Sequence, residues 1–139
     1  MPAPAPDIRR AFAGGVLYFA IVFAVAFALG VARTAVLAAA PSIDRLAAVL
    51  VEAPILLLTS WIACGFVLRS LKAPSDLATR CLLGATAFAC VFASETALGV
   101  FAAGRTVSQH FALYADPSHA VGLVAQLLFA LMPLIRRAT

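Results

Sequence analysis

Residues 45–69 read Arg-Leu-Ala-Ala-Val-Leu-Val-Glu-Ala-Pro-Ile-Leu-Leu-Leu-Thr-Ser-Trp-Ile-Ala-Cys-Gly-Phe-Val-Leu-Arg. Between the two arginines the stretch is apolar enough to lie in lipid as a helix, apart from one carboxylate, Glu52, and one proline, Pro54. About 20 consecutive apolar residues are enough to cross a bilayer as a helix. The stretch therefore predicts a membrane-spanning helix with an acid inside the membrane. Pro54 removes a backbone donor and frees the carbonyl of Leu50, so we expect a kink there and treat that carbonyl as a possible ligand.

The composition of the whole chain agrees with this class. Of its 139 residues, 64% are hydrophobic and 12% are charged, whereas soluble domains have roughly 45–50% apolar and 25% charged residues. The mean hydropathy is +1.05. The sequence predicts an integral membrane protein with a single domain, residues 1–139, and the lipid bilayer as its main partner. The net charge of +4 is attributed to membrane topology and not to nucleic-acid binding.

Breaks in the apolar pattern predict four helices, at about residues 11–40, 43–70, 77–104 and 118–135. Ser42 is the expected N-cap of the second helix, and Ser75 or Asp76 that of the third. The fold class is an all-α membrane protein, a four-transmembrane-helix up-down bundle held by Ala/Gly packing. Residues 105–118 are the longest polar stretch and are expected to lie on the membrane surface as a gate, lid or partner-binding loop.

The first predicted helix carries two stripes with different side-chain sizes. Phe19, Phe23 and Phe27 recur every four residues, and an alanine follows each of them. We expect the bulky stripe to face lipid and the alanine stripe to allow close contact with another helix.

Basic residues at the helix ends predict the orientation. Seven lie on the side of both termini and of the second connector, and three lie on the other side. Because positive charge accumulates on the cytoplasmic side, both termini should be cytoplasmic. Alanine-rich helices with nearly all basic residues as arginine favour a bacterial protein of the cytoplasmic (inner) membrane.

Depth in the membrane predicts one polar layer. In an antiparallel hairpin, residues equidistant from the turn lie at the same depth, with about 1.5 Å for each residue off balance. This places Arg33, Glu52, Glu95 and Gln126, one from each helix, at a single level. Since charges in hydrocarbon are costly, these side chains should face each other, with Arg33 paired to at least one glutamate. The residues expected at the periphery of this layer, toward the membrane surface, are Arg45, Arg105 and His119.

Two functions fit this layer. In the first, the protein is an accessory or assembly subunit and the layer locks the bundle. In the second, it is a proton-coupled or small-solute transporter or channel subunit in which Glu52 or Glu95 is the titratable site. A cavity reaching the layer from the outer face favours the second, and a dry, fully paired layer favours the first.

Catalytic spacing is absent from the sequence, so an enzyme is the less favoured class and no catalytic residue is assigned. The acids and histidines lack metal-ligand spacing, so neither a metal nor another cofactor is predicted. The three cysteines form no C-x-x-C pair and are interpreted as small hydrophobic residues. Because four short helices rarely enclose a pathway alone, a homo-oligomer or a larger membrane complex is the expected working form.

Overall fold

The computed structural model describes residues 5–73 and 75–136. Within them, four helices are long and apolar enough to cross a membrane, as predicted, and the chain is an integral membrane protein. Helix α1 covers Ile8–Ala39, α2 Arg45–Ser70, and α3 Leu77–Ala97, which continues as a π-helical turn over Leu98–Ala102. A short helix α4, Val107–Ala112, and a 3-10 turn lead into α5, Pro117–Ile135.

Aspartates cap all four long helices at the N-terminus, beginning with Asp7 of α1, whose carboxylate accepts from the Arg10 amide. Asp44 caps α2, with the Ala47 amide donating to its carboxylate, so the expected Ser42 cap is wrong and α2 begins two residues later than predicted. Asp76 caps α3 through the Thr79 amide at 2.8 Å. Asp116 caps α5, where Pro117 occupies the first helical position. An Asp cap accepts from a free amide of the first turn and stabilises its helix by about 1 kcal/mol.

The four long helices form a ring in the order α1, α3, α5, α2. Helix α1 packs on α2 and α3, and α5 packs on the same two, whereas α2 and α3 make no comparable contact with each other. Two pairs of helices that follow each other along the chain, α1 with α2 and α3 with α5, therefore pack as antiparallel hairpins. We call these two pairs the sequence hairpins. The second and third helices, although consecutive in sequence, lie on a diagonal of the bundle.

The bundle has two unlike ends. The terminal end carries the start of α1, the end of α2, the start of α3 and the end of α5, and there the Asp7 amide donates to Thr79 Oγ1 at 3.0 Å. Arg80 is buried and donates to the carbonyls of Pro133 and Arg136, which closes the last turn of α5. The loop end carries the turn between α1 and α2 and the segment between α3 and α5. Arg137, one of the residues used to predict orientation, lies outside the described residues.

Close packing is concentrated in the half of the bundle near the terminal end. Glycines set the distance between helices there: a Cβ on Gly15 would lie 2.7 Å from the Leu83 carbonyl, and one on Gly84 would collide with the Ala130 carbonyl. The buried residues of this half include Ala11, Tyr18, Ala63, Cys64, Val67, Leu68, Leu83, Ala87 and Met132. We call this set the terminal plug.

Tyr18 holds the plug together through a backbone group that Pro133 leaves without a donor. In a helix, the Phe129 carbonyl would accept from the amide of residue 133, but proline has none. The Tyr18 hydroxyl donates to this carbonyl at 3.0 Å, and the Tyr18 ring stacks on the Phe129 ring with centroids 4.3 Å apart. Tyr18 thus reaches across the bundle from α1 to α5 and satisfies a carbonyl within it.

The two stripes of α1 are reversed relative to the prediction. Phe19, Phe23 and Phe27 line a cavity of the bundle, Phe27 being also 51% exposed, whereas the three alanines that follow them are exposed. The reason is that Gly14 and Gly15, nearer the terminal end, provide the close contact with α3. The helix therefore does not need its alanines for contacts inside the bundle.

Candidate functional site

A cavity of about 830 Å³ occupies the loop half of the bundle. It reaches from Arg45, Arg105 and His119 at the loop end to Ser60 and Phe129 at mid-depth, where the terminal plug begins. Its volume lies within the roughly 300–1,000 Å³ of small-molecule sites. The bundle is therefore closed at one end and hollow at the other.

All four residues of the predicted polar layer line this cavity. Arg33 of α1 and Glu52 of α2 form an ion pair, with side-chain exposures of 24% and 14%. Gln126 of α5 donates from Nε2 to Glu95 Oε2 of α3 at 2.6 Å. The layer is thus two separate pairs, one inside each sequence hairpin.

The ring order of the helices explains why one layer becomes two pairs. Depth arithmetic places residues at a level but does not say which helices are neighbours. Glu52 and Glu95 are on α2 and α3, which lie diagonally opposite each other. Each acid therefore pairs with a polar residue of a neighbouring helix, which in the structure is the other helix of its own hairpin: Arg33 for Glu52 and Gln126 for Glu95. Among residues 5–73 and 75–136, the neutral Gln126 is the one hydrogen-bond partner of Glu95.

The mouth of the cavity is basic. Arg45 and Arg105 line it, and in the described part of the chain neither guanidinium has an acidic partner within 4 Å. His119 also lines the cavity, with Nδ1 3.4 Å from Asp116 Oδ1. The pKa of Asp116 is lowered to about 2, chiefly by the hydrogen bond from the Ser118 hydroxyl and then by the Ser118 amide. Asp116 is therefore a stable anion beside His119.

His110 lines the cavity, although its position in the sequence did not indicate a place in the site. It is 7% exposed, although the segment 105–118 was expected to lie on the membrane surface. Helix α4 begins with a capping box between Thr106 and Gln109, and it presents the imidazole to the π-helical turn, where Nδ1 lies against Gly99. The Thr-x-x-Gln spacing at residues 106–109 was a signal for this helix.

Tyr114 completes the wall next to His110. The two rings meet edge to face with centroids 5.9 Å apart. The pKa of Tyr114 is raised, first by partial burial and second by the charge of Glu95. The short segment between α3 and α5 therefore covers the side of the cavity on which Glu95 lies.

Pro54 lies inside α2, which continues from Arg45 to Ser70. The cavity wall includes Ala53 and Leu56 but not Leu50, so the freed Leu50 carbonyl does not join the site. Within residues 5–73 and 75–136, no group of three or more His, Cys, Asp or Glu side chains is arranged to hold a metal.

Comparison with protein-family models, with curated proteins and with solved structures finds no match for this chain. The chemistry of the cavity is therefore the basis for its function. The cavity offers an apolar chamber with one neutralised ion pair, one carboxylate without a cationic partner, a buried imidazole and a basic mouth. This combination can bind a small molecule and exchange it for a proton at a carboxylate.

Proposed function

We propose that this protein is a small-solute carrier, or the binding subunit of one, which takes its ligand into the cavity from the loop end. Glu95 binds a proton when the ligand is absent. The observation that carries this proposal is that the cavity reaches both polar pairs and ends at the terminal plug. A dry layer would have favoured a structural lock.

Glu95 is the carboxylate that binds the proton or the ligand, because the charge of Glu52 is already balanced. Arg33 pairs with Glu52, which leaves the other carboxylate of the cavity to be neutralised by a proton or a ligand. The groups that face Glu95 are Gln126 by hydrogen bond and, at longer range, His110, His119 and Arg33. In a medium of low dielectric, a carboxylate whose direct partner is a neutral amide favours the binding of a cation or a proton.

The closed terminal half supports a carrier over an open pore. Tyr18 and the residues packed around it fill the space below the cavity, so a ligand bound at the layer has no continuous path to the other side. Release there requires the plug to open by movement of one hairpin against the other, as in alternating access. We propose that the loop end faces outward, with both termini in the cytoplasm of a bacterial cell.

Proton movement in liposomes tests the proposal. Purified protein is reconstituted with an entrapped pH-sensitive dye, and an imposed pH gradient is followed after adding a mixture of a polyol, an amino acid and an amine. The wild type should collapse the gradient faster than protein-free liposomes, and Glu95→Gln should abolish this difference. Asp76→Asn is the matched control, because Asp76 lies outside the cavity and asparagine caps a helix equally well.

Folding of the variants is checked by helicity and by resistance to sodium dodecyl sulfate. A folded Glu95→Gln protein that still collapses the gradient at the wild-type rate would refute the proposal. Loss of the gradient collapse in Asp76→Asn as well would also count against it, since that acid has no place in the mechanism.

A second candidate, an accessory or assembly subunit, is supported by one observation. Ala20, Ala24 and Ala28 form a strip of small residues on the exposed face of α1, and such strips allow a second helix to approach closely in lipid. A homo-oligomer or a larger membrane complex would use this face. Ala24→Leu should then lower the cross-linked oligomer fraction in membranes, whereas an unchanged fraction would argue against this role.

A further inference from the structure

The imidazole of His110 is buried without a hydrogen-bond partner. It is 7% exposed, and within the described ranges neither ring nitrogen has a hydrogen-bond partner. A neutral imidazole always offers one N–H and one lone pair. Leaving such groups buried and unpaired is unfavourable, and a native protein keeps them for a reason such as a ligand or water. Because His110 lines the cavity, a molecule in the cavity can supply the missing partner.

A second unpartnered group lies on the same side of the cavity. Gln126 uses Nε2 to donate to Glu95, and its Oε1 is buried with no donor in the described part of the chain. Gly99, against which His110 packs, follows Glu95 by one helical turn, about 6 Å along α3. The side formed by α3, α4 and α5 therefore holds three acceptors: the Glu95 carboxylate, Gln126 Oε1 and the lone pair of His110. The last two are covered by protein, so a ligand reaches them when the Gln126 amide and the His110 ring turn toward the cavity that both residues line.

The negative charge of Glu95 on this side of the cavity favours a cationic ligand. Arg33 is engaged by Glu52 on the far diagonal, so the carboxylate of Glu95 is the one left to be balanced. An anionic ligand would meet this carboxylate with like charge. Arg45 and Arg105 lie at the mouth, where Arg45 is exposed and Arg105 is half-buried. The exposed guanidinium of Arg45 needs no partner because water solvates it.

The remaining walls of the cavity are apolar and partly aromatic. They include Phe19, Phe23, Phe27, Leu56, Leu57 and Phe129. Aromatic faces attract a nearby cation, and apolar walls bury a hydrocarbon body. A ligand that fits has a small polar head at the level of Glu95 and an apolar or aromatic body.

We infer that the ligand of this cavity is a primary ammonium ion with an apolar body, whose three N–H groups donate to Glu95, Gln126 Oε1 and His110. This inference rests on the proposed function and gives its substrate class. A primary ammonium has three donors, which matches these three acceptors, whereas a quaternary ammonium carries the same charge and no donor. The structure therefore favours primary amines over their trimethylated analogues.

Equilibrium binding to the wild-type protein tests this preference directly. The probes are 2-(1-naphthyl)ethylamine and its N,N,N-trimethyl derivative, titrated by calorimetry into protein in lipid nanodiscs, with empty nanodiscs as the blank. Since a hydrogen bond to a charged group is worth about tenfold in affinity, the primary amine should bind at least about tenfold more tightly. His110→Ala should reduce this ratio severalfold, and Ser108→Ala, an exposed residue of the same short helix, should leave it unchanged.

Equal affinity for the two probes overturns the inference, and so does a ratio unaffected by His110→Ala in a folded protein. The comparison of probes on the wild type needs no variant, so misfolding cannot mask the result. If neither probe binds while Glu95 still governs gradient collapse in liposomes, the substrate class is wrong and the carrier function stands. If Glu95→Gln leaves gradient collapse intact, the carrier function falls independently of the binding result.

Discussion

Replacing Tyr18 by phenylalanine tests whether the terminal plug depends on one hydrogen bond. The substitution keeps the ring that stacks on Phe129 and removes only the hydroxyl, which donates to the Phe129 carbonyl at 3.0 Å. That carbonyl lacks its helical donor because residue 133 is proline. Tyr18→Phe therefore leaves a buried acceptor with no donor.

The expected loss is about 1–2 kcal/mol of unfolding free energy. Hydrogen bonds between membrane helices average about 0.6 kcal/mol and reach about 1.7, and an unsatisfied buried acceptor costs about 1–3 kcal/mol. The upper part of the membrane range applies here, since the carbonyl has no alternative within its own helix. Met132 Sδ, 3.5 Å from the hydroxyl, is a weak acceptor and adds little.

A double-mutant cycle with Pro133→Ala isolates this effect. Alanine at 133 restores an amide that can donate to the Phe129 carbonyl, so Tyr18→Phe should cost about 0.5 kcal/mol or less in that background. The assay is reversible unfolding in mixed micelles, followed by circular dichroism as the mole fraction of sodium dodecyl sulfate rises. The packing loss from Pro133→Ala is present on both sides of the cycle and cancels. Equal costs of Tyr18→Phe in the two backgrounds would refute the reasoning.

Three further measurements address stability. Glu52→Gln leaves Arg33 without an anion and should lower the unfolding free energy by about 1–3 kcal/mol in the same micelle assay, the partial exposure of the pair reducing the loss. Gly84→Ala forces a methyl group onto the α5 backbone and should cost about 1–3 kcal/mol, whereas Gly122→Ala, whose added Cβ meets nothing within 4 Å, should be neutral or stabilising. The pKa of Asp116 is lower in the folded state than in the unfolded chain, so its contribution is full above about pH 4 and is lost as the pH falls toward about 2. Asp116→Asn should therefore flatten the acid limb of a stability titration, and an unchanged acid limb would contradict this.

Much of the fold could be predicted from hydropathy, because helices that cross a bilayer are aligned along its normal and the depth of each residue follows from its position in the helix. Apolar run length predicted all four spans, and counting residues from each turn predicted which side chains share a depth, including Arg33 and Glu52. The order of the helices around the bundle, and so which helices are neighbours, could not be predicted in this way. The diagonal placement of α2 and α3 depends on the close approach that Gly15 and Gly84 permit, and nothing in hydropathy reports which helices meet through a glycine.

The same limit explains the parts of the site that sequence reasoning missed. His110 lies in a polar stretch that suits a membrane surface, and its burial arises from contact with Gly99, which is distant in sequence. Tyr18 lies near a helix end, a position that suits an interfacial aromatic ring, yet it is fully buried. Its position follows from the donor that Pro133 lacks, and that need becomes visible only when α1 and α5 are placed across the bundle from each other.

The two polar pairs also have a consequence for biogenesis. Each pair lies within one helical hairpin, Arg33 with Glu52 in the first and Glu95 with Gln126 in the second. During synthesis, a hairpin can therefore enter the bilayer with its polar side chains already partnered, which lowers the cost of inserting them. The cavity, in contrast, has walls from both hairpins and comes into existence only when the two dock. Insertion and site formation are thus separate steps, and a mutation can block the second while leaving the first intact.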